Sequence, residues 1–385
     1  MQISVYEKKY IQLISDHLKV SPDQIFLYWK GRIALYAILK SLGIQHGDDI
    51  ILPGFTCVVV PNAIKYLDAR PVYVDINIDT FNPDFESIKK AVTANTKVII
   101  VQNTFGLSTD VDKISQWASM KGIYTIEDCT HGFGGTYNGK PNGSFCDAAF
   151  YSTQWNKPFS TGIGGFALVN NKKLIQNLKD VNEDLVKPGK LEELQLNLLN
   201  LFYQSILNEK TYWIFRRIYR YLSKLNLVLG SSQGNELRKP VLHDNYFKSG
   251  SSIQSKLGIN KLTSINGLIE KRRKNAILYS DFLASRGKVH VKSEFFPNHS
   301  FLKYPILVKD RKLFNKLAEK AKIPLGDWFI SPLHPVTDNF KNWDLVLNDL
   351  PNVRKIYKQI LNLPTENDNP ERVLNFLEKN LKLII

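Results

Sequence analysis

The chain has 385 residues, of which 43% are hydrophobic and 23% charged, and its formal net charge at pH 7 is +15. This composition is globular, and the length fits a large domain with a smaller one. No apolar run approaches the roughly 18 residues of a membrane span, and the N-terminus lacks the apolar core of a signal peptide. We therefore expect a cytoplasmic protein, and three cysteines without metal-ligand spacing agree with a reducing compartment.

The excess of positive charge indicates an anionic partner without identifying it. Nucleic acid, a membrane surface and a phosphorylated substrate would all be attracted, and a solvated basic surface is an equally simple interpretation. The sequence contains no nucleic-acid-binding module, and its basic residues are scattered rather than gathered in one tract. We therefore expect no nucleic-acid partner and no bound metal.

Apolar strands alternate with helical segments from the N-terminus to about residue 170. Strands are predicted over residues 49–53, 71–75, 97–102, 123–127 and 166–169, and helices over 3–18, 32–39, 59–66, 85–92 and 111–121. Continuous apolar strands separated by helices are typical of a parallel sheet covered on both faces. The predicted fold class is α/β, with a mainly parallel central sheet and a smaller C-terminal α+β domain.

Residues 185–240 differ from this pattern, because an apolar helical segment is followed by interleaved aromatic and basic residues. The second part contains Trp213, Arg216, Arg217, Tyr219, Arg220 and Lys224. Such a segment is compatible with a pair of core or dimer helices, with a substrate lid, and with contact to a membrane surface. All three interpretations remain open from the residues alone.

The mixture of predicted helices and strands after residue 250 indicates a smaller α+β domain. It contains predicted helices at 265–284, 311–321 and 371–381 and strand-like runs at 288–291 and 303–308. We predict a large domain over residues 1–250, which includes the helical insertion at about 185–240. The small domain is then residues 251–385, with a hinge near residues 245–260.

The first candidate for chemistry is Asp128, which ends a predicted buried strand. A buried carboxylate is costly unless it meets a cation, and a protonated pyridine nitrogen is such a partner. His131, three residues further on, is placed to pack beside the ring or to hold Asp128. The alternative for Asp128 is an ordinary helix N-cap.

The second candidate is Lys157, which follows an aromatic and hydroxyl-rich turn that includes Ser152. Lysine forms imines readily when burial or neighbouring positive charge lowers its pKa. Gly164 and Gly165 follow, and glycine lets a backbone pass close to a cofactor. The alternative is a lysine that caps a surface turn.

The third candidate is the entry to a helix at Gly31 and Arg32. Backbone amides at a helix N-terminus bind anions, and a guanidinium adds a charged contact to phosphate. A plain turn is the alternative.

In this order, the three pieces resemble the DegT/StrS-type aminotransferases of fold type I, which make amino sugars on nucleotide-linked substrates. The likeness runs from about residue 31 to residue 165, fades, and returns near residues 251–273 and 360–364. It includes residues 47–56, 69–75, 96–97, 105–106, 126–128 and 143–147. The combination is far more specific than any single part.

The resemblance implies a pyridoxal 5'-phosphate (PLP) enzyme in which Lys157 is the Schiff-base lysine and general acid–base. Asp128 matches the residue that pairs with the pyridine nitrogen, and His131 matches the Gln or His that supports the cofactor. Ser152 matches the phosphate-binding serine, and Gly31 the glycine of the phosphate turn. A related dehydratase subgroup has His at the lysine position, so Lys157 argues against that subgroup.

Two positions depart from the family pattern. Arg32 stands where Thr is usual, so phosphate binding would rely on a guanidinium. Cys57 stands where an aromatic residue often stacks on the ring, so another group would cover that face. The usual Asn or Arg that completes the partner subunit's site is not evident near Ser249.

The resemblance further implies an amino donor such as glutamate, a nucleotide-linked keto-sugar acceptor and a homodimer. Amino-sugar and surface-polysaccharide biosynthesis is the implied setting. The alternatives are another fold-type-I PLP enzyme, such as a lyase or an amino-acid aminotransferase, and a non-catalytic scaffold or membrane-surface partner. An intact pair of Lys157 and Asp128 speaks against the scaffold, which would use neither residue.

Overall fold

A computed structural model describes residues 3–206, 234–243 and 245–385. Its centre is a seven-stranded sheet in the order β1-β10-β9-β6-β5-β2-β4. The strands are β1 Ile25–Tyr28, β2 Asp49–Pro53, β3 Thr56–Cys57, β4 Arg70–Val74, β5 Thr96–Gln102, β6 Tyr124–Asp128, β7 Thr136–Tyr137, β8 Lys140–Pro141, β9 Ala148–Ser152, β10 Gly165–Val169, β11 Tyr304–Leu307, β12 Leu333–His334 and β13 Ile360–Leu363.

The sheet is mainly parallel, because β4, β2, β5, β6 and β9 all run in one direction. The strands β10 and β1 add to one edge in antiparallel pairs. The five residues of β2 and of β10 are buried throughout, as expected for strands covered on both faces. The predicted α/β class with a mainly parallel central sheet is confirmed.

Helices cover both faces of this sheet. They are α1 Val5–Leu18, α2 Gly31–Ser41, α3 Val59–Lys65, α4 Phe85–Ala91, α5 Val111–Met120, α6 Lys172–Val181, α7 Lys190–Ile206, α8 Ser252–Leu262, α9 Ile265–Ala284, α10 Arg311–Lys320, α11 Pro351–Ile356 and α12 Pro370–Lys379. Apolar side chains of α2, α3 and α6 form a core on one face, and those of α4 and α5 form a core on the other. The sheet therefore holds its strand ends rigidly between two packed layers.

The C-terminal region has apolar clusters of its own. The antiparallel pair β11–β13 packs with α9, α10 and α12 around Phe301, Phe314 and Phe376. A second cluster joins this region to the sheet, since Trp343 and Phe329 pack with Phe55 and Phe105. The division into residues 1–250 and 251–385 stays a prediction.

One predicted element is wrong. Residues 288–291 were expected to form a strand, yet they form none, and Val289 is 45% exposed. The backbone amide of Val289 donates to the carbonyl of Ile385, and that bond with the C-terminus does not extend into a ladder. The alternation of apolar and polar residues in this segment reflects a surface loop.

The insertion predicted at about 185–240 is described only in part. The helix α7 exposes a stripe of apolar side chains, Leu191, Leu194, Leu198, Leu201 and Phe202, while Leu196 and Asn200 are buried. The aromatic and basic residues from Trp213 to Lys224 lie outside the described residues. Within the described ranges, no helix is both long enough and apolar enough to cross a bilayer.

Candidate active site

A cavity of about 260 Å³, here called the lysine cavity, lies where the parallel strands end beside the start of α2. All seven predicted site residues line it: Gly31, Arg32, Cys57, Asp128, His131, Ser152 and Lys157. Parallel α/β sheets present their ligand sites at this edge, where the chain leaves each strand. The structure thus brings together residues that are up to 126 positions apart in sequence.

The pairing of β5, β6 and β9 positions the residues at the base of the lysine cavity. Asp128, the last residue of β6, lies between Gln102 of β5 and Phe150 of β9. Two residues after Phe150, β9 ends at Ser152, and the loop that follows carries Lys157. The carboxylate and the amine are therefore positioned by adjacent strands of one rigid sheet.

The start of α2 packs against β9 and β10 without any gap. A Cβ on Gly31 would stand 2.8 Å from the carbonyl oxygen of Tyr151 and 2.9 Å from Cβ of Ser152. A Cβ on Gly165 would stand 2.3 Å from the backbone of Gly31. Gly165, expected to admit a cofactor, thus lets β10 approach α2. The first residue of α2 is thereby held beside Ser152.

We expect Gly31→Ala to destabilise the protein by about 1–3 kcal/mol, because the added methyl group meets backbone that cannot move aside. Gly267→Ala is the matched control, since a Cβ there meets nothing within 4 Å in a helix. The control should be neutral or slightly stabilising. Thermal unfolding of both variants measures the difference, and equal unfolding temperatures would contradict the close packing.

Lys157 is a half-buried amine with no ion pair among the described residues. Burial lowers its pKa to about 8, and the cations Arg32 and Lys303 act in the same direction. The carboxylate of Asp128 opposes this lowering. The ammonium nitrogen stands 4.6 Å from the ring centre of Trp328. An appreciable fraction of Lys157 is therefore the neutral, nucleophilic amine near neutral pH.

Asp128 is buried, with 3% of its surface exposed. Burial raises its pKa, and bonds from Thr130 and the charge of Lys157 oppose the rise. The amide of Thr130 donates to Oδ1 at 3.0 Å. That bond is a turn contact, and no helix begins here, so the helix N-cap alternative is wrong. The carboxylate lines the cavity, where a cationic ligand would stabilise its charged form.

His131 is a buried, neutral imidazole. Burial lowers its pKa well below the usual value, and Lys157 and Lys303 contribute to the lowering. The amide of Phe105 donates to Nδ1 at 3.3 Å, so the proton of the neutral ring lies on Nε2. The ring stacks on Trp328 with 4.5 Å between centroids and 6° between planes. His131 thus offers the cavity an N–H donor with a fixed orientation.

Arg32 is buried and forms an ion pair of 2.6 Å with Glu236. Glu236 belongs to the short helix Gly234–Leu237 and is itself buried. The guanidinium is therefore present at the cavity wall, with a carboxylate neutralising it. Cys57, at the end of the two-residue strand β3, is half-buried and lines the same wall.

Several lining residues were missed by the sequence analysis. They are Thr56, Val59, Val60, Gln102, Thr130, Phe150, Gln154, Trp155, Asn156, Trp328, Phe329, His334 and Pro335. Four of these belong to the C-terminal region, which reaches the cavity because β12 pairs in parallel with β3. In this pair, Leu333 lies opposite Thr56, which is 277 positions away in the sequence. No sequence motif predicts that two strands of two residues each pair over that distance. Among the described residues, no cluster of three His, Cys, Asp or Glu side chains is placed to hold a metal ion.

The fold and the cavity together define a class: α/β proteins that place a lysine and a buried carboxylate in one cleft beside a helix N-terminus. The sequence matches the DegT/DnrJ/EryC1/StrS aminotransferase family over residues 30–191 and 250–375. The chain belongs to that family. Its matched ranges include all seven predicted site residues and leave out most of α7 and the segment after it.

Two curated relatives each match less than half of this chain. GDP-perosamine synthase of Escherichia coli O157:H7 is 37% identical over 144 residues, which are 37% of this chain and 40% of that protein. A Pseudomonas aeruginosa protein, UDP-2-acetamido-2-deoxy-3-oxo-D-glucuronate aminotransferase, is 36% identical over 152 residues, 39% of this chain and 42% of its own length. The matched stretches thus span less than half of either relative.

A solved structure is similar to this chain in fold. The E. coli GDP-4-keto-6-deoxy-D-mannose-3-dehydratase with bound hydrated PLP superposes with a TM-score of 0.74, covering 98% of this chain and 92% of that one. The identity is 21%, so this likeness shows the fold alone.

Proposed function

We propose that this chain is a PLP-dependent aminotransferase that moves an amino group from an amino acid such as glutamate to a nucleotide-linked keto-sugar. The proposal places it in the biosynthesis of amino sugars and surface polysaccharides. The observation that carries it is one cavity in which Lys157, with its pKa lowered to about 8, faces the same space as the buried carboxylate of Asp128. Family membership supports the reaction type.

The donor set of the lysine cavity suits PLP. The cofactor has an aldehyde, a protonatable ring nitrogen, a ring hydroxyl and a phosphate. Lys157 suits the aldehyde, Asp128 the ring nitrogen, and Nε2–H of His131 the hydroxyl oxygen. For the phosphate, Ser152, the guanidinium of Arg32 and the first residues of α2 line the same cavity, and the close packing of Gly31 against Ser152 holds the start of the helix there.

Bound PLP supplies an electron sink that stabilises negative charge on the carbon carrying the amino group. The chain's own residues prepare the site for that chemistry. Asp128 would hold a proton on the ring nitrogen, and Lys157 would attach the cofactor and, once displaced, would move a proton to and from the substrate carbon. Burial and the neighbouring cations favour this role, since they lower the pKa of Lys157 to about 8 and so leave a fraction of the amine neutral near physiological pH.

In the family, an aromatic residue at the position of Cys57 often stacks on one face of the cofactor ring. In this chain, Trp328 is suited to cover that face. Trp328 lines the cavity, stacks on His131 and lies under the amine of Lys157. A flat heteroaromatic ring would stack favourably on this indole. This arrangement offers a replacement for the aromatic residue that the chain lacks at position 57.

The substrates are proposed from the relatives' names and from charge. The two curated relatives are named for GDP-perosamine and for a UDP-linked oxo-glucuronate. A nucleotide-linked sugar is anionic, in agreement with the net charge of +15. A cytoplasmic homodimer is proposed from the family resemblance, and contact with a membrane surface through residues 185–240 is the less favoured alternative. A lyase and an amino-acid aminotransferase are the rival activities.

The first test is the absorbance spectrum of the purified protein. An aminotransferase should show a band in the visible that disappears when glutamate is added, and a panel of nucleotide-linked keto-sugars should restore it. A band that glutamate leaves unchanged would favour the lyase. A protein that takes up no PLP would favour the scaffold.

We expect the attachment of PLP to the apoprotein to accelerate as the pH rises through about 8. The neutral amine of Lys157 is the nucleophile, and its fraction falls about tenfold per pH unit below that pKa. Stopped-flow absorbance after mixing apoprotein with PLP, between pH 6 and pH 10, measures the rate. A rate that still rises about tenfold per pH unit between pH 8 and pH 10 would place the pKa near the usual lysine value of about 10.4 and show that burial does not activate this amine.

A further inference from the structure

The ion pair of Arg32 and Glu236 lies at the wall of the lysine cavity. Nη1 of Arg32 is 2.6 Å from Oε2 of Glu236, and each of the two side chains is 5% exposed. Arg32 lines the cavity, whereas Glu236 is not among the described residues that line it. The carboxylate therefore acts on the cavity through the guanidinium that it binds.

Hydrogen bonds from two other parts of the chain hold the backbone around Glu236. Nδ2 of Asn62, on α3, donates to the carbonyl of Glu236 at 3.0 Å, and Nε1 of Trp343 donates to Oδ1 of the same asparagine at 2.5 Å. Asn62 and Trp343 are both buried. One turn further on, Nδ2 of Asn342 donates to the carbonyl of Arg238 at 2.8 Å. The carboxylate therefore extends from a fixed backbone, and the direction of its bond to the guanidinium is fixed as well.

The acid of this pair comes from a segment that the family match leaves out. Residues 234–237 lie outside the matched ranges 30–191 and 250–375. A buried ion pair contributes little stability compared with apolar side chains of the same volume, so stability alone does not account for it. Its place beside the proposed phosphate site indicates a role in binding.

We propose that Glu236 is a positioning residue for the cofactor phosphate, because it holds the guanidinium of Arg32 in the orientation that binds this phosphate. The role rests on the proposed function and adds to it a residue outside the matched ranges. A guanidinium presents its N–H donors in one rigid plane, so a bond to one of them fixes the direction of the others. Outer partners of metal-binding histidines orient the ligand in the same way.

Glu236 also repels a phosphate, and the two effects oppose each other. The positive guanidinium compensates the carboxylate at the cavity wall. A second cation is close: burial lowers the pKa of Lys30, the N-cap residue of α2, to about 8, with Arg32 acting in the same direction and Glu236 against it. The repulsion weakens with distance, whereas a guanidinium that turns away loses its charge-assisted bond to the phosphate entirely. Positioning therefore outweighs repulsion.

The test measures the dissociation constants of the apoprotein for PLP and for pyridoxal, which lacks the phosphate, by absorbance titration. Glu236→Ala removes the acceptor. Glu236→Gln keeps an oxygen acceptor in nearly the same place without the charge, and Glu236→Asp keeps the charge but draws it back by one methylene. Asp49→Ala is the matched control, since Asp49 is a buried acid that pairs with Arg70 at the start of β2, whereas the cavity lies where the strands end.

We expect Glu236→Ala to bind PLP about tenfold or more weakly than wild type and to bind pyridoxal equally well. Glu236→Gln should restore the PLP constant to within about threefold of wild type, and Glu236→Asp should lie between the two. Asp49→Ala should change neither constant, although thermal unfolding should show a loss of stability in both alanine variants. If Glu236→Ala does not fold, the Gln and Asp variants make the same comparison.

Three results would overturn the positioning role. They are a PLP constant that Glu236→Ala leaves unchanged or tighter, an equal weakening of PLP and pyridoxal binding, and a Gln variant that binds PLP more weakly than the Asp variant. The last would show that the charge acts rather than the direction of the bond. A wild type that takes up no PLP would refute this role together with the proposed function. A wild type that binds PLP but does not respond to glutamate would refute the aminotransferase alone.

Discussion

Replacing Lys157 with Ala is expected to abolish transamination and the visible absorbance of the bound cofactor. The amine is the only lysine nitrogen among the described residues that lines the lysine cavity, so no neighbour there can substitute for it. Lys157→Arg should fail in the same way, because a guanidinium keeps the charge but does not form the covalent link. Absorbance and single-turnover assays with glutamate measure both variants.

Covalent labelling identifies which lysine binds PLP. Reduction of the wild-type protein with borohydride should fix PLP to the peptide that contains Lys157, and mass spectrometry identifies the modified position. Lys274→Ala, which changes an exposed lysine of α9, should retain both the label and the activity. Full activity in Lys157→Ala, or a label on another lysine, would show that the lysine cavity is not the reacting site.

Much of the fold was predictable because the local pattern and the tertiary packing agree. The strands β2 and β5 contain continuous apolar runs, Ile50–Leu52 and Val98–Val101, and burial on both faces of a sheet demands that composition. The helix α9 begins and ends at the predicted residues, Ile265 and Ala284. Residues 288–291 show where such prediction fails. Alternation of apolar and polar residues leads to a strand only where the edge of another strand is available for pairing.

Only the residues of the candidate site that lie before about residue 160 could be predicted from the sequence. Asp128, Ser152 and Lys157 lie within 30 residues of one another on adjacent strand ends, so a local pattern records their arrangement. Glu236, which pairs with Arg32, and Trp328, which stacks on His131, come from segments more than 190 positions away from those partners. Only the folded chain brings them to the cavity, and no spacing in the sequence encodes that encounter.

Replacing Asp128 with Asn is expected to slow turnover about 100-fold or more while some cofactor remains bound. The amide has nearly the shape of the carboxylate and keeps an oxygen that can accept from Thr130 as Asp128 does at 3.0 Å. It lacks the charge that stabilises a proton on the ring nitrogen, so the electron sink weakens when the substrate carbon loses its proton. Single-turnover kinetics with glutamate report that step directly.

Asp84→Asn provides the control for this change. Asp84 is the N-cap of α4 and accepts from the amide of Ser87 at 2.8 Å, and asparagine caps a helix about as well as aspartate. The same substitution there should leave turnover and the visible spectrum unchanged. If Asp128→Asn turned over at a rate close to that of Asp84→Asn, the carboxylate would not hold the ring proton. The buried acid at the end of β6 would then be only a turn residue, bonded to Thr130.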